Sequence, residues 1–217
     1  MLIFDRVFKR YPEAGDALSD VSFHLEKGDM TFLTGHSGAG KSTLLKLVAM
    51  IERSSRGQVL LDGQNLSQIR ENQIPFLRRK LGLIFQDYKL LVDRSVFDNI
   101  ALPLLVTGMG QYEVARRVRA ALDKVGLLAK ENSYPLALSG GEQQRIGIAR
   151  AVVNKPAIIL ADEPTGNLDP ELSAEIMLLF QQFKQVGVTV LIATHDIELI
   201  NSFDYKVLQL EQGRLIN

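Results

Sequence analysis

The sequence predicts an α/β fold: a mainly parallel core sheet carrying an antiparallel β part and a helical insert. Three observations predict it. Short apolar runs without clean alternation, at residues 30–34, 157–161 and 189–194, are separated by helical stretches, as parallel strands covered on both faces require. The run Val21-Ser22-Phe23-His24-Leu25-Glu26 alternates strictly, as a half-exposed antiparallel strand does, and ends in the turn-like Lys27-Gly28-Asp29. From about residue 88 to 134 the period becomes helical, with Val114, Val118, Leu122 and Val125 on one face and Arg116, Arg117, Arg119 and Lys124 on the other.

In chain order, residues 2–7 and 59–62 are expected to join 21–26 in the antiparallel part. The segment Gly35-His36-Ser37-Gly38-Ala39-Gly40-Lys41-Ser42-Thr43 follows the apolar run at 30–34 and precedes a helix on which Leu44, Leu47, Val48 and Ile51 share one face. This is G-x-x-x-x-G-K-[ST] in the strand-loop-helix context that the pattern needs. A triphosphate is a dense anion: glycines let backbone N–H groups curl around it, a helix N-terminus faces it, and an ammonium neutralises its β and γ oxygens. Those roles fall on Gly35, Gly38, Gly40 and Lys41, with the Ser42 hydroxyl left for Mg²⁺. A flexible glycine turn would not require the Lys-Ser pair or the flanking elements.

Further on, Leu138-Ser139-Gly140-Gly141-Glu142-Gln143-Gln144-Arg145 opens a helix expected to run to about Asn154. Ser139 with Glu142 three residues later is a capping box, which makes a second anion-receptive helix end. Capping alone leaves the Gly140-Gly141 pair unexplained, since glycine in a first turn lowers stability. The run at 157–161 ends in Asp162-Glu163. Two adjacent carboxylates are unfavourable unless a cation or a reaction uses them. Neighbours leaving a strand point in different directions, so Asp162 is assigned to the metal and Glu163 to the attacking water. A carboxylate at the rim of a buried strand is expected to have a raised pKa, which suits Glu163 as general base.

Composition narrows the function classes. The 217 residues carry 25 Lys plus Arg and 25 Asp plus Glu, so bulk charge gives no support for a sequence-blind nucleic acid binder. No cysteine is present, which excludes disulfides and thiolate metal sites. No apolar run approaches the ~18 residues of a membrane span, and the first residues lack a signal peptide's basic region and cleavage site, so a cytoplasmic protein is expected. The whole chain, 1–217, reads as one domain: 1–87 and 137–217 form the core with the antiparallel part, and 88–136 the helical part.

The set of motifs resembles the ATP-binding cassette ATPases, a branch of the P-loop NTPases. Gly35 to Thr43 resembles Walker A, Gln86 in Phe85-Gln86-Asp87 the Q-loop, Leu138 to Gln143 the signature, and Asp162-Glu163 Walker B with the catalytic glutamate. Leu168-Asp169 resembles the D-loop, and His195 after Val190-Leu191-Ile192-Ala193-Thr194 the switch histidine. Within the family, Asp162-Glu163-Pro164-Thr165-Gly166-Asn167-Leu168-Asp169 is similar to the branch of lipoprotein-release, macrolide-efflux and cell-division cassettes. His36 to Gly40, Pro75-Phe76-Leu77-Arg78-Arg79, Leu90-Leu91, Asp93-Arg94-Ser95-Val96 and Ala151 to Pro156 are closer to the cell-division type. Met50 departs from the pattern, since many cassettes carry glycine there.

The resemblance implies a head-to-tail homodimer around two ATP molecules. Ser139, Gly140, Gly141, Glu142 and Asp169 of one protomer would act in trans on the nucleotide held by the other's residues 35–43. It implies Mg²⁺ held by Ser42, Gln86 and Asp162, catalysis by Glu163 with Lys41, Gln86 and His195, and adenine stacked on Tyr11, which by itself is an ordinary strand-end tyrosine. It further implies an integral membrane partner and a place on the cytoplasmic side of the cell membrane at the division site. The rival within the family is a lipoprotein-release or efflux ATPase. A P-loop kinase has no use for residues 138–143. A chromosome-maintenance cassette separates its motifs by a long coiled coil, and a translation-type cassette carries two such domains. His24 and His36 are left structural or exposed, Arg78-Arg79-Lys80 is read as a solvated charged face, and Asp169-Pro170 as a helix start.

Overall fold

The computed structural model describes residues 1–13 and 15–216. The chain begins with β1 (Leu2–Tyr11) and β2 (Gly15–Leu25), paired antiparallel with Leu2 opposite Leu25. Next, β3 (Met30–Thr34) runs into α1 (Lys41–Val48), and β4 (Arg56–Leu61) returns to β1, followed by β5 (Gln64–Asn65). Then come α2 (Ile74–Arg78), β6 (Leu81–Ile84), α3 (Val96–Leu105), α4 (Gln111–Lys124) and α5 (Gly140–Val152). The remainder is β7 (Ile158–Asp162), α6 (Pro170–Gln185), β8 (Thr189–Ala193), α7 (Ile197–Asn201), β9 (Lys206–Glu211) and β10 (Arg214–Ile216).

The strands make two sheets. One is antiparallel, in the order β2-β1-β4-β5; the other, β10-β9-β3-β8-β7-β6, is parallel except for β10. The three central strands read from hydropathy fall where expected, because both their faces are covered. Phe32, Ile159, Ala161, Val190 and Ile192 point into a core shared with α3 to α6. The alternate residues Leu33, Ile158, Leu160, Leu191 and Ala193 point into a second core, formed with α1 and with Leu2, Phe4 and Val21 of the antiparallel sheet. Each large apolar side chain fully buried this way contributes roughly 1.5–3 kcal/mol.

Two strand regions carry weaker signals. β6 has four residues and includes Gly82, where a Cβ would lie 2.9 Å from the Ala151 carbonyl oxygen of α5. β9 and β10 form a hairpin at the sheet edge. In the helical part, residues 88–95 form a loop rather than helix, and α3 starts at Val96 under the Ser95 cap. α5 packs against α3 and α4 as well as β6.

The helix after the phosphate-type loop is shorter than its apolar spacing suggests. Leu44, Leu47 and Val48 are buried, but Ile51 lies beyond the helix and is 47% exposed. Met50 ends it in a left-handed conformation, φ +53. The Met50 N–H donates to the Leu47 carbonyl at 3.1 Å and the Ile51 N–H to Lys46 at 2.9 Å, the paired bonds of a Schellman ending. Glycine suits this place because the left-handed region disfavours a side chain by about 1–2 kcal/mol. Met50 offsets that by burying its side chain.

Arg78 and Lys80 are exposed and Arg79 is half-buried, as a solvated charged face requires, but both guanidinium groups also engage backbone carbonyls. Arg78 donates from Nε and Nη2 to the carbonyls of Ala49 and Met50, at 3.0 and 2.9 Å, closing the negative end of α1. Arg79 donates to the Val106 carbonyl at the end of α3 and stacks over the Phe76 ring. Local carbonyls at helix ends recruit these charges, a demand that a run of basic residues does not display.

Candidate active site

The loop between β3 and α1 curls because two glycines let it touch other backbone. At Gly35 (φ +148) a Cβ would lie 2.3 Å from the Leu210 carbonyl oxygen of β9; at Gly40 (φ +110) it would lie 2.6 Å from the Ala17 carbonyl oxygen of β2. The turn of the β9–β10 hairpin adds a brace. The Gly213 N–H donates to Ala39 of the loop at 3.1 Å, and the Ser19 N–H of β2 donates to Gly213 at 2.8 Å. Lys41 opens α1 and is buried, its Nζ donating to the carbonyls of Gly35 (2.6 Å) and His36 (3.3 Å).

Asp162 ends β7 beside this loop, and its Oδ1 is buried without a hydrogen-bond partner. Burial raises the Asp162 carboxyl above its ordinary range; the Ser42 hydroxyl opposes the shift and the Glu163 carboxylate adds to it. A buried acceptor left unsatisfied costs about 1–3 kcal/mol, so the site fits a cation that would claim it. The Asp162 carboxylate and the Ser42 hydroxyl are hard oxygen donors of the kind Mg²⁺ takes. Among the described residues no group of three or more His, Asp or Glu gathers as a self-sufficient metal cage.

Glu163 follows in a left-handed conformation, φ +48, its N–H donating to Ala193 of β8 at 2.8 Å. Strain of this kind in a residue with a side chain is characteristic of functional sites. Its carboxylate is 12% exposed; Oε1 lies 3.7 Å from Lys41 Nζ and 2.9 Å from Nδ1 of His195, which leaves the end of β8 and is mostly exposed. Asp162, at the rim of the same strand, carries a raised carboxyl.

These groups line one cavity of about 680 Å³. Gly35, His36, Ser37, Gly38, Gly40, Lys41, Ser42, Thr43, Gln86, Asp162, Glu163 and His195 form its wall. Ala39 is buried behind the loop and outside the lining. Tyr11 also lies outside it; the Lys9 ammonium sits 4.7 Å over its ring. Sequence reading missed Ala17, Thr34, Ile197, Gln209, Leu210 and Glu211, which join the wall from other strands and a helix start. Thr34 and Ile197 adjoin the glycine loop and His195, but Ala17, Gln209, Leu210 and Glu211 stand far from any motif, and only the sheet order brings them to the wall.

The second anion-type helix end forms as its capping box requires but does not line this cavity. Glu142 N–H donates to the Ser139 hydroxyl at 3.2 Å, and Ser139 N–H to the Glu142 carboxylate at 2.9 Å. That backbone bond, foremost, holds the Glu142 carboxyl below its usual range. Gly140 and Gly141 have a packing reason: Cβ atoms there would lie 3.1 Å from the Tyr88 hydroxyl and 2.8 Å from Leu172 Cδ1. Asp169 caps α6, accepting from Leu172 N–H at 2.9 Å, with Pro170 at the first helical position, as the Asp-Pro pair predicts.

Residues 18–166 match the ABC transporter family. The chain is 57% identical over 215 residues to the cell division ATP-binding protein FtsE of Escherichia coli K12, covering 99% of this chain and 97% of that one. It is 42% identical over 216 residues to FtsE of Bacillus subtilis, covering 100% and 95%. Among solved structures, a dimeric post-hydrolysis state of the ATP-binding cassette MJ0796 bound to ADP and Pi superposes with a TM-score of 0.92 at 31% identity, covering 100% of this chain and 97% of that chain. The strand-loop-helix anion cradle, the orphaned Asp162 oxygen, the Glu163–His195 pair and these similarities agree: the chain belongs to the ATP-binding cassette family, in its FtsE-type branch.

Proposed function

We propose that this protein is the ATP-hydrolysing subunit of a membrane-associated complex, the FtsE-type partner of an integral membrane protein resembling FtsX, acting in cell division and the control of cell-wall hydrolysis. The observation that carries the catalytic reading is the convergence of Lys41 and His195 on one oxygen of Glu163, inside a cavity walled by the glycine loop. Glu163 accepts the proton of a water aligned on the γ-phosphorus, and His195 holds that carboxylate in place. Lys41 turns from the loop carbonyls to the β and γ oxygens, and Gln86, which lines the same cavity, engages the γ-phosphate. Mg²⁺, held by Ser42, Gln86 and Asp162, supplies charge neutralisation when bound. Residues 35–43 wrap the phosphates and Tyr11 stacks on adenine. In trans, Ser139, Gly140, Gly141, Glu142 and Asp169 of a second copy complete the site, so two copies close head to tail on two ATP molecules. Loss of the shared γ-phosphate opens them.

Among the described residues no helix is long and apolar enough to cross a membrane. In this reading the partner spans the membrane, and the cassette sits on its cytoplasmic side at the division site. Phosphate release with Mg-ATP tests the catalytic part. Glu163→Gln is expected to lower turnover by about 10²–10⁴-fold while accumulating an ATP-bound dimer. A monomer by light scattering in saturating Mg-ATP counts against the shared site. Co-purification tests the partner; recovery of a lipoprotein-extracting or efflux permease in place of an FtsX-like protein would assign the chain to that sister branch.

A further inference from the structure

Lysine is rarely buried, yet Lys9 of β1 is 9% exposed and lies outside the cavity wall. Its Nζ donates to the Glu52 carboxylate at 2.7 Å and to the Arg53 carbonyl at 3.0 Å, and it rests 4.7 Å from the centre of the Tyr11 ring. Residues two apart in a strand share a sheet face, which is how the charge comes over the ring. The anchor is itself fixed. The Glu52 N–H donates to the Lys46 carbonyl of α1 at 3.2 Å, and Arg53 donates from Nη2 to the Ile69 carbonyl at 2.8 Å. On either side of Lys9, the Ser55 N–H donates to the Phe8 carbonyl at 2.8 Å and the Arg10 N–H to the Ser55 hydroxyl at 3.0 Å. Across the hairpin, Arg10 pairs with Asp16 and Lys9 with Leu18, which leaves Ala17 as the extra residue of a β-bulge. Ala17 lines the cavity, and Leu18 lies against the glycine loop, where a Cβ on Gly40 would come within 2.8 Å of its Cδ2.

We propose that Lys9, anchored by Glu52, is a positioning residue that holds the Tyr11 ring ready for the base of the nucleotide. It thereby ties the base end of the site to the far end of the helix whose first residue, Lys41, serves the phosphates. The inference rests on the proposed function in one respect, that Tyr11 meets adenine. A side chain ordered before binding loses less entropy on binding. A cation fixed over one face of a tyrosine holds the ring's orientation and leaves the other face for stacking. A methionine in place of Lys9 would fill similar space without holding the ring. Because Glu52 is bonded to the last turn of α1, base seat and phosphate loop keep a fixed separation, while only the base end depends on the ammonium.

Calorimetry on the full chain with two probes separates the ends of the site: Mg-ATP engages both, whereas Mg-tripolyphosphate carries the phosphates without a base. Lys9→Met is expected to weaken Mg-ATP binding about three- to tenfold and Mg-tripolyphosphate binding by less than about twofold. In a Tyr11→Leu background, Lys9→Met is expected to change Mg-ATP affinity by less than about twofold, since no ring is left to hold. An equal loss for both probes, an unchanged Mg-ATP affinity, or a full loss that persists without the ring each overturns the clamp. If Lys9→Met does not fold, Glu52→Gln, which keeps an acceptor but not its charge, decides by the same three measurements, with an expected Mg-ATP loss of at least about twofold. Tyr11→Leu alone separates the clamp from the reading beneath it. If it leaves Mg-ATP affinity intact, the adenine seat fails and the clamp with it. If it weakens Mg-ATP binding while a folded Lys9→Met protein binds as the native chain does, only the clamp fails.

Discussion

Asp162 carries a buried carboxylate oxygen that nothing in the protein satisfies, and this sets a stability trade at the residue scale. Its folded pKa is raised, chiefly by desolvation, so between the unfolded value near 3.8 and the folded one the native state binds the extra proton. Stability therefore falls as pH rises through that window, and the desolvated carboxyl weighs against the nucleotide-free protein. Asp162→Asn is expected to raise the melting temperature of nucleotide-free protein at pH 7, while the extra stabilisation that Mg²⁺ adds to ATP disappears; differential scanning calorimetry measures both. An unchanged nucleotide-free melting temperature would mean the orphaned oxygen is satisfied in solution. The residues that line the cavity from the glycine loop and the end of β7 were legible in the sequence, because phosphate and metal chemistry demands fixed residue types at fixed spacing, as with Lys41-Ser42 and Asp162-Glu163. That one oxygen of Asp162 would be left buried without a partner was not legible, since that depends on the covering by neighbouring strands.

At the scale of elements, the phosphate-loop helix shows how a chain end is specified from a distance. The periodicity of Leu44, Leu47 and Val48 announces α1, but its last turn depends on Met50 going left-handed and on Arg78, many residues later, closing the carbonyls of Ala49 and Met50. Charged hydrogen bonds at a helix C-terminus put the loss from Arg78→Ala at about 1–2 kcal/mol of folding stability in urea titration, with nucleotide affinity little changed. A loss of ATP binding at unchanged stability would move Arg78 from the helix end to the site. Apolar spacing extended this helix through Ile51, because periodicity senses burial and is blind to a torsion that ends the turn. The central strands were readable for the opposite reason: their burial on both faces is written directly as unbroken apolar runs. β6 lacks such a run because contact with α5 imposes Gly82 on it.

For the whole molecule, the separation of two anion-type helix ends is the informative feature. The cavity holds the start of α1, while Ser139 to Gly141 lie outside it. In the proposed head-to-tail pair each site is made from two different protomers, and damage to the two halves should complement. Lys41→Ala is expected to weaken nucleotide binding and Ser139→Arg to block closure, each alone inactive in phosphate release. Mixed in equal amounts, half the dimers are mixed and each of these keeps one intact site, so activity should return to at most about a quarter of wild type. No recovery on mixing, with mixed dimers demonstrated by tagged pull-down, would argue for sites complete within one chain. The second helix end was legible from its capping box. Its distance from the first was not, since helix spacing carries no information about where a folded sheet places two helices.

The glycine loop near the beginning of the chain leans on the hairpin turn at Gly213, which bonds to Ala39 and to Ser19. During synthesis, the ribosome releases that loop long before it makes the residues that brace it. A nascent chain thus carries the whole phosphate motif without its support until the β9–β10 hairpin has emerged, and nucleotide can steady the braced loop only after that.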